Sequence, residues 1–338
     1  MHFCKEASMI VYMDLPQGLQ KQGEKKVYKL LKSLYGLKQA SRQWNIKLTE
    51  ALVKGGYSQS AHDHSLFTKK TGPHIVIIQE YVDDFLMTRS NIELIEEAKQ
   101  TLHSSFKVKD LGELRYFLGI EVLRSKEGIL LTQRKYALQL ISEAGLAAAK
   151  PIFTPIELNQ KLTTMDYDKH VGVKGYEELE DIGSYQRLIG KLLYLTITRP
   201  GLSFAVQDAA LRVVGYVKSA PGLGILLCTG PINSISAYYD SDWASCPNTR
   251  RSVIGYIIKL GDSLLSWKSK KQQTVSQNSA EAEYRSLAAA AEEITWFLGL
   301  LKELQVHVHQ PVPLHCDSKA ALQIAANPSF MKEPNTLK

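Results

Sequence analysis

The sequence predicts a multidomain α+β protein, and three observations support this fold class. Helical and strand periodicities alternate between residues 27 and 140, three strand-like runs precede a long helix between residues 235 and 304, and a break rich in proline and glycine lies at residues 221–224. Strands in sequence followed by helices are typical of α+β folds. The 338 residues suffice for two or three domains, because domains usually contain about 100–200 residues.

The composition is that of a globular protein without a membrane span. Hydrophobic residues make up 44% and charged residues 22% of the chain, which are ordinary values for globular domains. No apolar run reaches the roughly 18 residues that a bilayer span requires, and residues 1–12 lack the pattern of a signal peptide. We therefore expect an intracellular protein, in the cytoplasm or the nucleus, that does not contact a membrane.

The net charge indicates the kind of partner, and the cysteine spacing indicates whether zinc or disulfides are expected. The formal net charge is +7 and the isoelectric point is about 9.0. A basic surface favours a polyanionic partner, because neutralised phosphates release their counterions. The four cysteines, Cys4, Cys228, Cys246 and Cys316, show no C-x-x-C spacing. We therefore expect neither structural zinc nor disulfides.

The first block of the chain alternates helices with strand pairs. Its predicted elements are a helix over residues 37–55, a strand pair over 75–87, a helix over 92–106, a β-hairpin over 116–133 and a helix over 134–145. We expect the hairpin to turn at Lys126–Gly128. Gly145 is expected to cap the last helix, because glycine adopts the left-handed conformation at helix ends without strain.

The second block follows an irregular connector over residues 151–183 and a helical stretch that ends at Lys218. Its predicted elements are strands within residues 235–244, 252–260 and 263–275, a helix over 279–304, a strand within 313–318 and a helix over 319–327. The order β-β-β-α-β-α predicts a mixed sheet with helices packed on it.

Two adjacent carboxylates, Asp83 and Asp84, interrupt the apolar strand pair in the stretch "QEYVDDFLMT". Like charges side by side raise each other's pKa, and a divalent cation would remove this repulsion. Mg²⁺ prefers hard oxygen ligands and is commonly held by one or two carboxylates together with substrate phosphates. The alternative is an ordinary turn, in which aspartate is frequent.

The second block carries a separate set of carboxylates that we expect to converge. Asp240 follows a predicted strand, Glu283 lies in the first turns of the long helix, and Asp317 ends the strand "PLHC". Three carboxylates at one edge of a sheet could bind a metal pair that hydrolyses a phosphodiester. Taken singly, each could equally be a surface acid or a favourable charge at a helix N-terminus, which is the interpretation we prefer for Asp242 and Glu281.

Basic and aromatic residues near both sets suit a nucleic-acid surface. Lysines neutralise phosphates, and aromatic rings stack on sugars or bases. The candidates lie in "SLYGLKQASRQW" and "SWKSKKQQ": Lys38, Arg42, Trp44, Trp267, Lys268, Lys270 and Lys271. A solvated basic face with one core tryptophan in each segment is an equally good interpretation.

From about Val11 to Phe330 the chain resembles the reverse transcriptase and ribonuclease H part of Ty1/copia-type retrotransposon Pol polyproteins. The motifs that carry the resemblance occur in the family's order: "VYMDLPQG", "KSLYGLKQASRQW", "DHSLF", "YVDD", "DLGELRYFLGIEV", "YQRLIGKLLYLTITRP", "YYDSDWA", "SWKSKKQ", "SAEAEY" and "LHCDSKAA". No single motif would be decisive, but their shared order makes chance implausible.

The resemblance implies a partial palm, thumb and connection followed by a ribonuclease H-like mixed sheet. The implied domains are residues 1–125, residues 126–228 with the connector at 151–183, and residues 229–338. The implied partners are an RNA template, a DNA primer and an RNA·DNA hybrid, and the implied cofactor is Mg²⁺ or Mn²⁺ in a two-metal arrangement.

The resemblance also assigns roles to particular residues. Asp83 and Asp84 resemble the metal ligands of the polymerase palm, and Asp240, Glu283 and Asp317 match three of the four metal ligands of ribonuclease H. Gln39 stands where the family contacts the incoming nucleotide. The hairpin residues Phe117, Leu118 and Gly119 resemble the segment that holds the primer end.

Departures from the family pattern predict an impaired enzyme. The segment "MHFCKEASMI" has no aspartate where the family's polymerase has its third, and "NPSFMKEPNTLK" ends before the family's last histidine and fourth acidic ligand. We therefore expect a truncated reverse transcriptase and ribonuclease H, impaired in polymerisation more than in nuclease activity. The alternative is a catalytically inactive transposon relic that at most binds nucleic acid.

Overall fold

A computed structural model of the protein describes residues 11–15, 27–30, 37, 40–89, 93–157, 170–172, 181–207 and 210–327. The chain divides into two compact units, residues 1–112 and 113–338. The described helices are α1 (Ala40–Lys54), α2 (Glu93–Ser105), α3 (Arg134–Glu143), α4 (Ile182–Leu195), α5 (Ala210–Ser219), α6 (Ser279–Glu303) and α7 (Lys319–Ala326). The described strands are β1 (Val11–Asp14), β2 (Val27–Leu30), β3 (Ser58–Gln59), β4 (Leu66–Thr71), β5 (His74–Tyr81), β6 (Asp84–Arg89), β7 (Tyr116–Phe117), β8 (Ile120–Arg124), β9 (Gly128–Thr132), β10 (Gly224–Cys228), β11 (Ile235–Asp242), β12 (Val253–Leu260), β13 (Ser263–Lys271) and β14 (Leu314–His315).

The first unit contains a four-stranded antiparallel sheet in the order β3-β4-β5-β6. Alternate residues of β5 are buried, namely Val76, Ile78 and Glu80, as expected for a strand with one face on a core. Apolar residues from α1 and α2 complete this core, which consists of Leu48, Leu52, Tyr57, Phe67, Val76, Ile78, Ala98 and Leu102. β1 and β2 pair separately as a two-stranded antiparallel sheet.

The second unit begins with an antiparallel sheet in the order β10-β9-β8-β7. β10 was not predicted from the sequence, where a break was expected at residues 221–224; it starts at Gly224 and pairs with β9 from Thr132 to Gly128. The hairpin turn predicted at Lys126–Gly128 is also corrected. β8 ends at Arg124 and β9 begins at Gly128, so the turn consists of residues 125–127. A Cβ atom on Gly128 would lie 2.0 Å from the Leu227 carbonyl oxygen, so glycine permits the close approach of β10 at this point.

Helices α3, α4 and α5 pack around an apolar core of their own. Their contribution to it is Ala137, Leu140, Ile141, Leu192, Leu195, Ala210, Val213, Val214 and Val217. The predicted cap of α3 is confirmed, because Gly145 has a φ of 68° and its N–H donates to the Ser142 carbonyl at 3.0 Å. This core lies in the same unit as the hairpin β8–β9.

The second sheet of this unit has the order β13-β12-β11-β14, with β14 parallel to β11 and the other pairs antiparallel. α6 packs on it, and the shared core is Ile235, Ala237, Tyr239, Tyr256, Ile258, Ala290, Ile294, Phe297 and Leu301. With α7 as the last helix of the described residues, the predicted order β-β-β-α-β-α is confirmed.

The predicted division into residues 1–125, 126–228 and 229–338 remains a proposal about domains. Its first limit falls in the turn between β8 and β9, two strands that pair with each other, whereas the compact units separate after Gly112. Much of the predicted connector over residues 151–183 lies outside the described residues, and its last two residues already belong to α4. None of the described helices combines the length and apolar character needed to cross a membrane.

Candidate functional site

Three carboxylates come together at one edge of the second sheet. Asp240 lies on β11, Asp317 follows β14 by two residues, and Glu283 lies near the N-terminal end of α6. One carboxylate oxygen from each side chain lies within 4.8 Å of the other two. Asp240 and Asp317 are exposed and Glu283 is buried. Solvent can therefore reach the two aspartates, whereas Glu283 is shielded from it.

The topology of the sheet explains this convergence. β11 and β14 run parallel with Tyr238 opposite His315, so Asp240 and Asp317 each follow two residues later at the same end. α6 packs on the sheet through Ala290, among other residues, and this packing brings its N-terminal end to the same edge. The convergence predicted from the sequence is therefore present, while the roles of the three residues stay proposals.

Glu283 is the carboxylate of this cluster whose pKa the fold raises. Its side chain is only 6% exposed, and its Oε1 accepts a hydrogen bond from the Ser241 N–H at 3.2 Å. The Cys316 Sγ lies 3.8 Å from its Oε2. Burial, together with the charges of Asp240 and Asp317, raises the pKa of Glu283 to about 7.

The donor set fits a divalent cation. Its three carboxylates supply only hard oxygen atoms, the donors that Mg²⁺ and Mn²⁺ prefer. The repulsion between Glu283 and the two aspartates contributes to this raised pKa. A bound cation would remove that repulsion. Asp240, Glu283 and Asp317 are thus the residues that would hold a metal here.

Glu281 has a structural role, as the sequence indicated. Asn278 caps α6 by accepting a hydrogen bond from the Glu281 N–H at 2.8 Å, and the Glu281 carboxylate accepts one from the Gln277 N–H at 2.7 Å. Glu281 also pairs with Arg285 at 2.6 Å. Asp242 is exposed at the end of β11 and does not belong to the carboxylate cluster.

Asp83 and Asp84 lie at the tip of the hairpin β5–β6, as predicted. Tyr81 pairs with Asp84, so Val82 and Asp83 form a two-residue loop, and both aspartates are exposed. Val82 has a φ of 57°, an unfavourable conformation for a β-branched residue. Within the described part of the chain, no third histidine, cysteine or carboxylate joins these two aspartates.

Glu80 is a buried acid beside this loop whose burial the sequence analysis did not anticipate. It is 7% exposed, and its Oε2 accepts a hydrogen bond from the Asn45 Nδ2 of α1 at 3.3 Å. Burial raises the pKa of Glu80. The alternation along β5, which places every second residue inside, was the signal that could have revealed it.

Comparison with known proteins supports one family for the chain. Residues 3–158 match the family model "Reverse transcriptase (RNA-dependent DNA polymerase)". Over 335 residues the chain is 38% and 39% identical to the retrovirus-related Pol polyproteins from transposons RE2 and RE1 of Arabidopsis thaliana, which covers 95% of this chain. An uncharacterized mitochondrial protein of the same plant is 38% identical over 232 residues, or 64% of this chain and 92% of that protein.

The chain belongs to the Ty1/copia-type reverse transcriptase family of retrotransposon Pol polyproteins. It spans 22% of the length of the polyproteins from transposons RE1 and RE2. Reverse transcriptases of this family act on nucleic acids and generally use divalent metals, which agrees with the acidic cluster at Asp240.

The structure describes only some of the residues that were expected to contact nucleic acid in the motif "KSLYGLKQASRQW". Lys38 and Gln39 lie outside the described residues, and Arg42 is exposed on α1. Trp44 packs inside the unit, with its ring 5.0 Å from Phe106 and 6.4 Å from Phe85 between centroids. Its surroundings therefore favour the core interpretation over stacking on a nucleic acid.

The hairpin residues expected to hold a primer end form a tight turn between β7 and β8. Leu118 and Gly119 both have positive φ, 47° and 77°, which is the pattern of a type I′ hairpin loop. The Tyr194 hydroxyl of α4 donates to the Leu118 carbonyl oxygen, and a Cβ atom on Gly119 would lie 3.5 Å from the Tyr194 ring. The turn that follows Phe117 is thus attached to α4 of its own unit.

The lysines expected to contact nucleic acid lie on β13, an edge strand of the second sheet. Lys268, Lys270 and Lys271 are exposed, and the Lys271 Nζ lies 3.2 Å from the Cys246 Sγ. Trp267 is partly buried and donates through Nε1 to the Thr196 carbonyl at 3.2 Å. Both tryptophans proposed as stacking residues are therefore engaged within the protein.

Proposed function

We propose that the chain hydrolyses the RNA strand of an RNA·DNA hybrid at Asp240, Glu283 and Asp317, as the ribonuclease H part of a retrotransposon Pol polyprotein. The observation that carries this proposal is the convergence of the three carboxylates within 4.8 Å. The order of strands and helices around them supports a ribonuclease H-like fold for residues 229–338. Family membership supports RNA-directed DNA synthesis as the companion activity.

The three side chains would hold Mg²⁺ or Mn²⁺ in a two-metal arrangement, which supplies an activated water and stabilises the charge on the phosphate. Glu283 would act as the buried ligand, because its Oε1 is already oriented by the Ser241 N–H. Asp240 and Asp317 lie on the exposed side, where a phosphate of the hybrid can approach. Binding of the cation would require Glu283 to lose its proton.

The polymerase half of the proposal rests on Asp83 and Asp84. Their exposed position at the tip of a tight hairpin leaves both carboxylates free to bind a metal together with nucleotide phosphates. Gln39 would contact the incoming nucleotide, and Phe117, Leu118 and Gly119 would hold the end of the DNA primer on its RNA template. We propose weaker activity here than in the nuclease, because no third carboxylate accompanies the pair within the described residues.

The second candidate function is nucleic-acid binding without catalysis. The observation that favours it is the row of exposed lysines on β13, Lys268, Lys270 and Lys271, on a chain with a net charge of +7. Binding through such residues weakens steeply with rising salt, because each phosphate contact releases counterions. Binding of this kind would need neither carboxylate set.

Cleavage of a labelled RNA·DNA hybrid by the purified chain in Mg²⁺ and in Mn²⁺ distinguishes the two functions. Wild type and Asp242→Asn should cleave, whereas Asp240→Asn should lose cleavage and keep its fold. Asp242 is the matched control, since it is an exposed aspartate of the same strand outside the cluster. A folded chain that binds the hybrid and never cleaves it would support the second function.

A further inference from the structure

A thiol lies directly against the buried carboxylate of the candidate metal site. The Cys316 Sγ donates to the Glu283 Oε2 at 3.8 Å, whereas the Ser241 N–H donates to the other oxygen, Oε1. Cys316 is partly exposed, so ions in solution can reach it. The cluster of three hard carboxylates thus has a soft donor beside it.

The topology of the sheet holds this thiol in place. β11 and β14 are parallel with Tyr238 opposite His315, so the next residues, Tyr239 and Cys316, are neighbours on the face that packs on α6. The Ser318 N–H, at the start of α7, donates to the Cys316 Sγ at 3.2 Å. The sulfur is therefore positioned both by the strand register and by a backbone donor.

The hydroxyl of Tyr239 is a buried polar group at the same point. The Tyr239 side chain is 4% exposed, and its hydroxyl makes no hydrogen bond within the described residues. Burial, followed by the adjacent Cys316 thiol and the Glu283 carboxylate, raises the pKa of Tyr239. A buried hydroxyl without a partner is unfavourable, and a water molecule on a bound cation would donate to it.

The distance between the thiol and the carboxylate matches two ligands of one tetrahedral cation. Zn²⁺ lies about 2.3 Å from a thiolate sulfur and about 2.0–2.2 Å from a carboxylate oxygen. At the tetrahedral angle these bond lengths separate the two ligand atoms by about 3.5 Å. The observed distance between the Cys316 Sγ and the Glu283 Oε2 is 3.8 Å.

The exposed aspartates can supply a further ligand. Asp240 and Asp317 each place an oxygen within 4.8 Å of an oxygen of Glu283, and rotation of either exposed side chain brings its carboxylate to the cation. Mg²⁺ prefers hard oxygen ligands and gains nothing from a thiol, whereas thiolate ligands select Zn²⁺ and similar ions. The donors around Cys316 therefore favour a thiophilic cation.

We propose that Cys316 and Glu283 form a binding site for a thiophilic divalent cation such as Zn²⁺, with Asp240 or Asp317 as the third ligand and water as the fourth. Binding forms the metal–sulfur bond and releases the thiol proton to solvent. Because the site uses Glu283, this cation excludes Mg²⁺ from the carboxylate cluster, and Zn²⁺ inhibits the nuclease. The inhibition rests on the proposed function, whereas the site itself does not.

Cd²⁺ is the probe for the site, because its bond to a thiolate produces an ultraviolet charge-transfer band in the absence of catalysis. The full chain is titrated with Cd²⁺ above pH 7, where Glu283 has lost its proton. Cys316→Ser should lose at least about a hundredfold in Cd²⁺ affinity, because even a group that only orients a metal ligand contributes about 10–100-fold. Cys246→Ser is the matched control and should keep the affinity, since Cys246 is also a partly exposed free cysteine but contacts Lys271.

The carboxylate ligand is tested in the same titration. Glu283→Gln should weaken Cd²⁺ binding, whereas Glu281→Gln should not, because Glu281 lies outside the cluster. Circular dichroism checks that each variant is folded. Equal Cd²⁺ affinity in wild type and Cys316→Ser, or Cd²⁺ binding that Glu283→Gln leaves unchanged, would overturn the proposal.

X-ray absorption of the wild-type chain with one equivalent of Zn²⁺ needs no variant. It should show one sulfur ligand at about 2.3 Å together with oxygen ligands. A coordination shell without sulfur would contradict the site, whether or not the variants fold.

Hybrid cleavage in Mg²⁺ tests the shared ligand. Zn²⁺ should inhibit wild type, and the inhibitory Zn²⁺ concentration should rise with the Mg²⁺ concentration. Relative to its own rate without zinc, Cys316→Ser should need at least about tenfold more Zn²⁺. Inhibition that is independent of Mg²⁺ would exclude a shared Glu283.

The two proposals can fail separately. A chain that binds Cd²⁺ through Cys316 and cleaves no hybrid would retain the site while the nuclease proposal fails. Cleavage by a chain whose Cd²⁺ binding does not depend on Cys316 would give the opposite result.

Discussion

Glu283 and Asp240 accept hydrogen bonds from the same donor, the backbone N–H of Ser241, at 3.2 and 2.8 Å. One backbone N–H thus stabilises the negative charge of two carboxylates, one on β11 and one on α6. The pKa of Glu283 nevertheless remains raised to about 7, so a single neutral donor does not offset burial and the neighbouring charge.

The free energy of unfolding of the metal-free chain should contain a component from Glu283 that decreases with rising pH. The folded state keeps the proton on Glu283 up to a pKa of about 7, whereas the unfolded state loses it near the ordinary value of 4.5. Between about pH 4.5 and pH 7 the folded state therefore binds more protons, and stability falls as the pH rises through this window. Urea unfolding of wild type and Glu283→Gln at several pH values measures the difference.

Glu281→Gln is the matched control with the opposite sign. The hydrogen bond from the Gln277 N–H and the Arg285 charge lower the pKa of Glu281, so its contribution should be lost as the pH falls. Addition of Mg²⁺ above about pH 7 should stabilise wild type more than Glu283→Gln, because metal binds the deprotonated ligand. Equal pH profiles for wild type and Glu283→Gln would contradict the proposed origin of the shift.

The Cys246 thiol should react with alkylating reagents near neutral pH. Burial raises its pKa, but hydrogen bonds from Thr249, Lys271 and Asn248 outweigh burial and bring the pKa to about 7. Because the thiolate is the reactive form, alkylation of Cys246 should reach half its maximal rate near pH 7. Mass spectrometry of the labelled peptide measures this rate, and Lys271→Met should slow it at pH 7. A half-maximal rate near the ordinary thiol value of 9.0 would refute the assignment.

Val82→Gly should stabilise the first unit. Val82 has a φ of 57°, and such a conformation costs a non-glycine residue about 1–3 kcal/mol, whereas the extra chain entropy of glycine costs about 0.5–1 kcal/mol. Its side chain is half exposed, so little packing is lost. We expect a gain of about 1 kcal/mol in urea unfolding. Val82→Ala retains a Cβ atom and should gain much less, and an equal gain in both variants would exclude backbone strain as the cause.

Gly128→Ala should destabilise the second unit strongly. The new Cβ atom would meet the Leu227 carbonyl oxygen at 2.0 Å, so β9 and β10 would have to separate. Overpacking of this kind costs about 1–3 kcal/mol, to which the strain of a φ of 150° adds. Gly112→Ala is the control, because Gly112 also has positive φ, at 75°, with no atom within 4 Å of an added Cβ. The Tm should fall further for Gly128→Ala than for Gly112→Ala. Equal decreases in Tm would mean that the contact with β10 does not limit the residue at position 128.

Much of the carboxylate arrangement could be predicted from local patterns. The apolar alternation on either side of Asp83 and Asp84 predicted the hairpin β5–β6, and the element order predicted that Asp240, Glu283 and Asp317 would converge. These predictions succeeded because hydrophobic periodicity specifies strands and helices, and because parallel strands end at the same edge of a sheet.

Other features could not be predicted from the sequence, because they depend on contacts with residues that are distant along the chain. β10 follows a proline-glycine break and becomes a strand by pairing with β9, about ninety residues earlier, where Gly224 lies opposite Thr132. Trp44 and Trp267 were equally compatible with stacking on bases and with packing inside the protein. Their contacts with Phe106 and with the Thr196 carbonyl decided this question.

The sequence by itself determined the family, the order of the elements and the identity of the candidate metal ligands, because each of these is written in short motifs and in local periodicity. Only the tertiary structure decided that Glu283 is a buried acid with a raised pKa. It alone also placed the Cys316 thiol beside this carboxylate. The physical reason is that burial and electrostatic environment depend on the groups that surround a residue in space, which its neighbours in sequence do not specify.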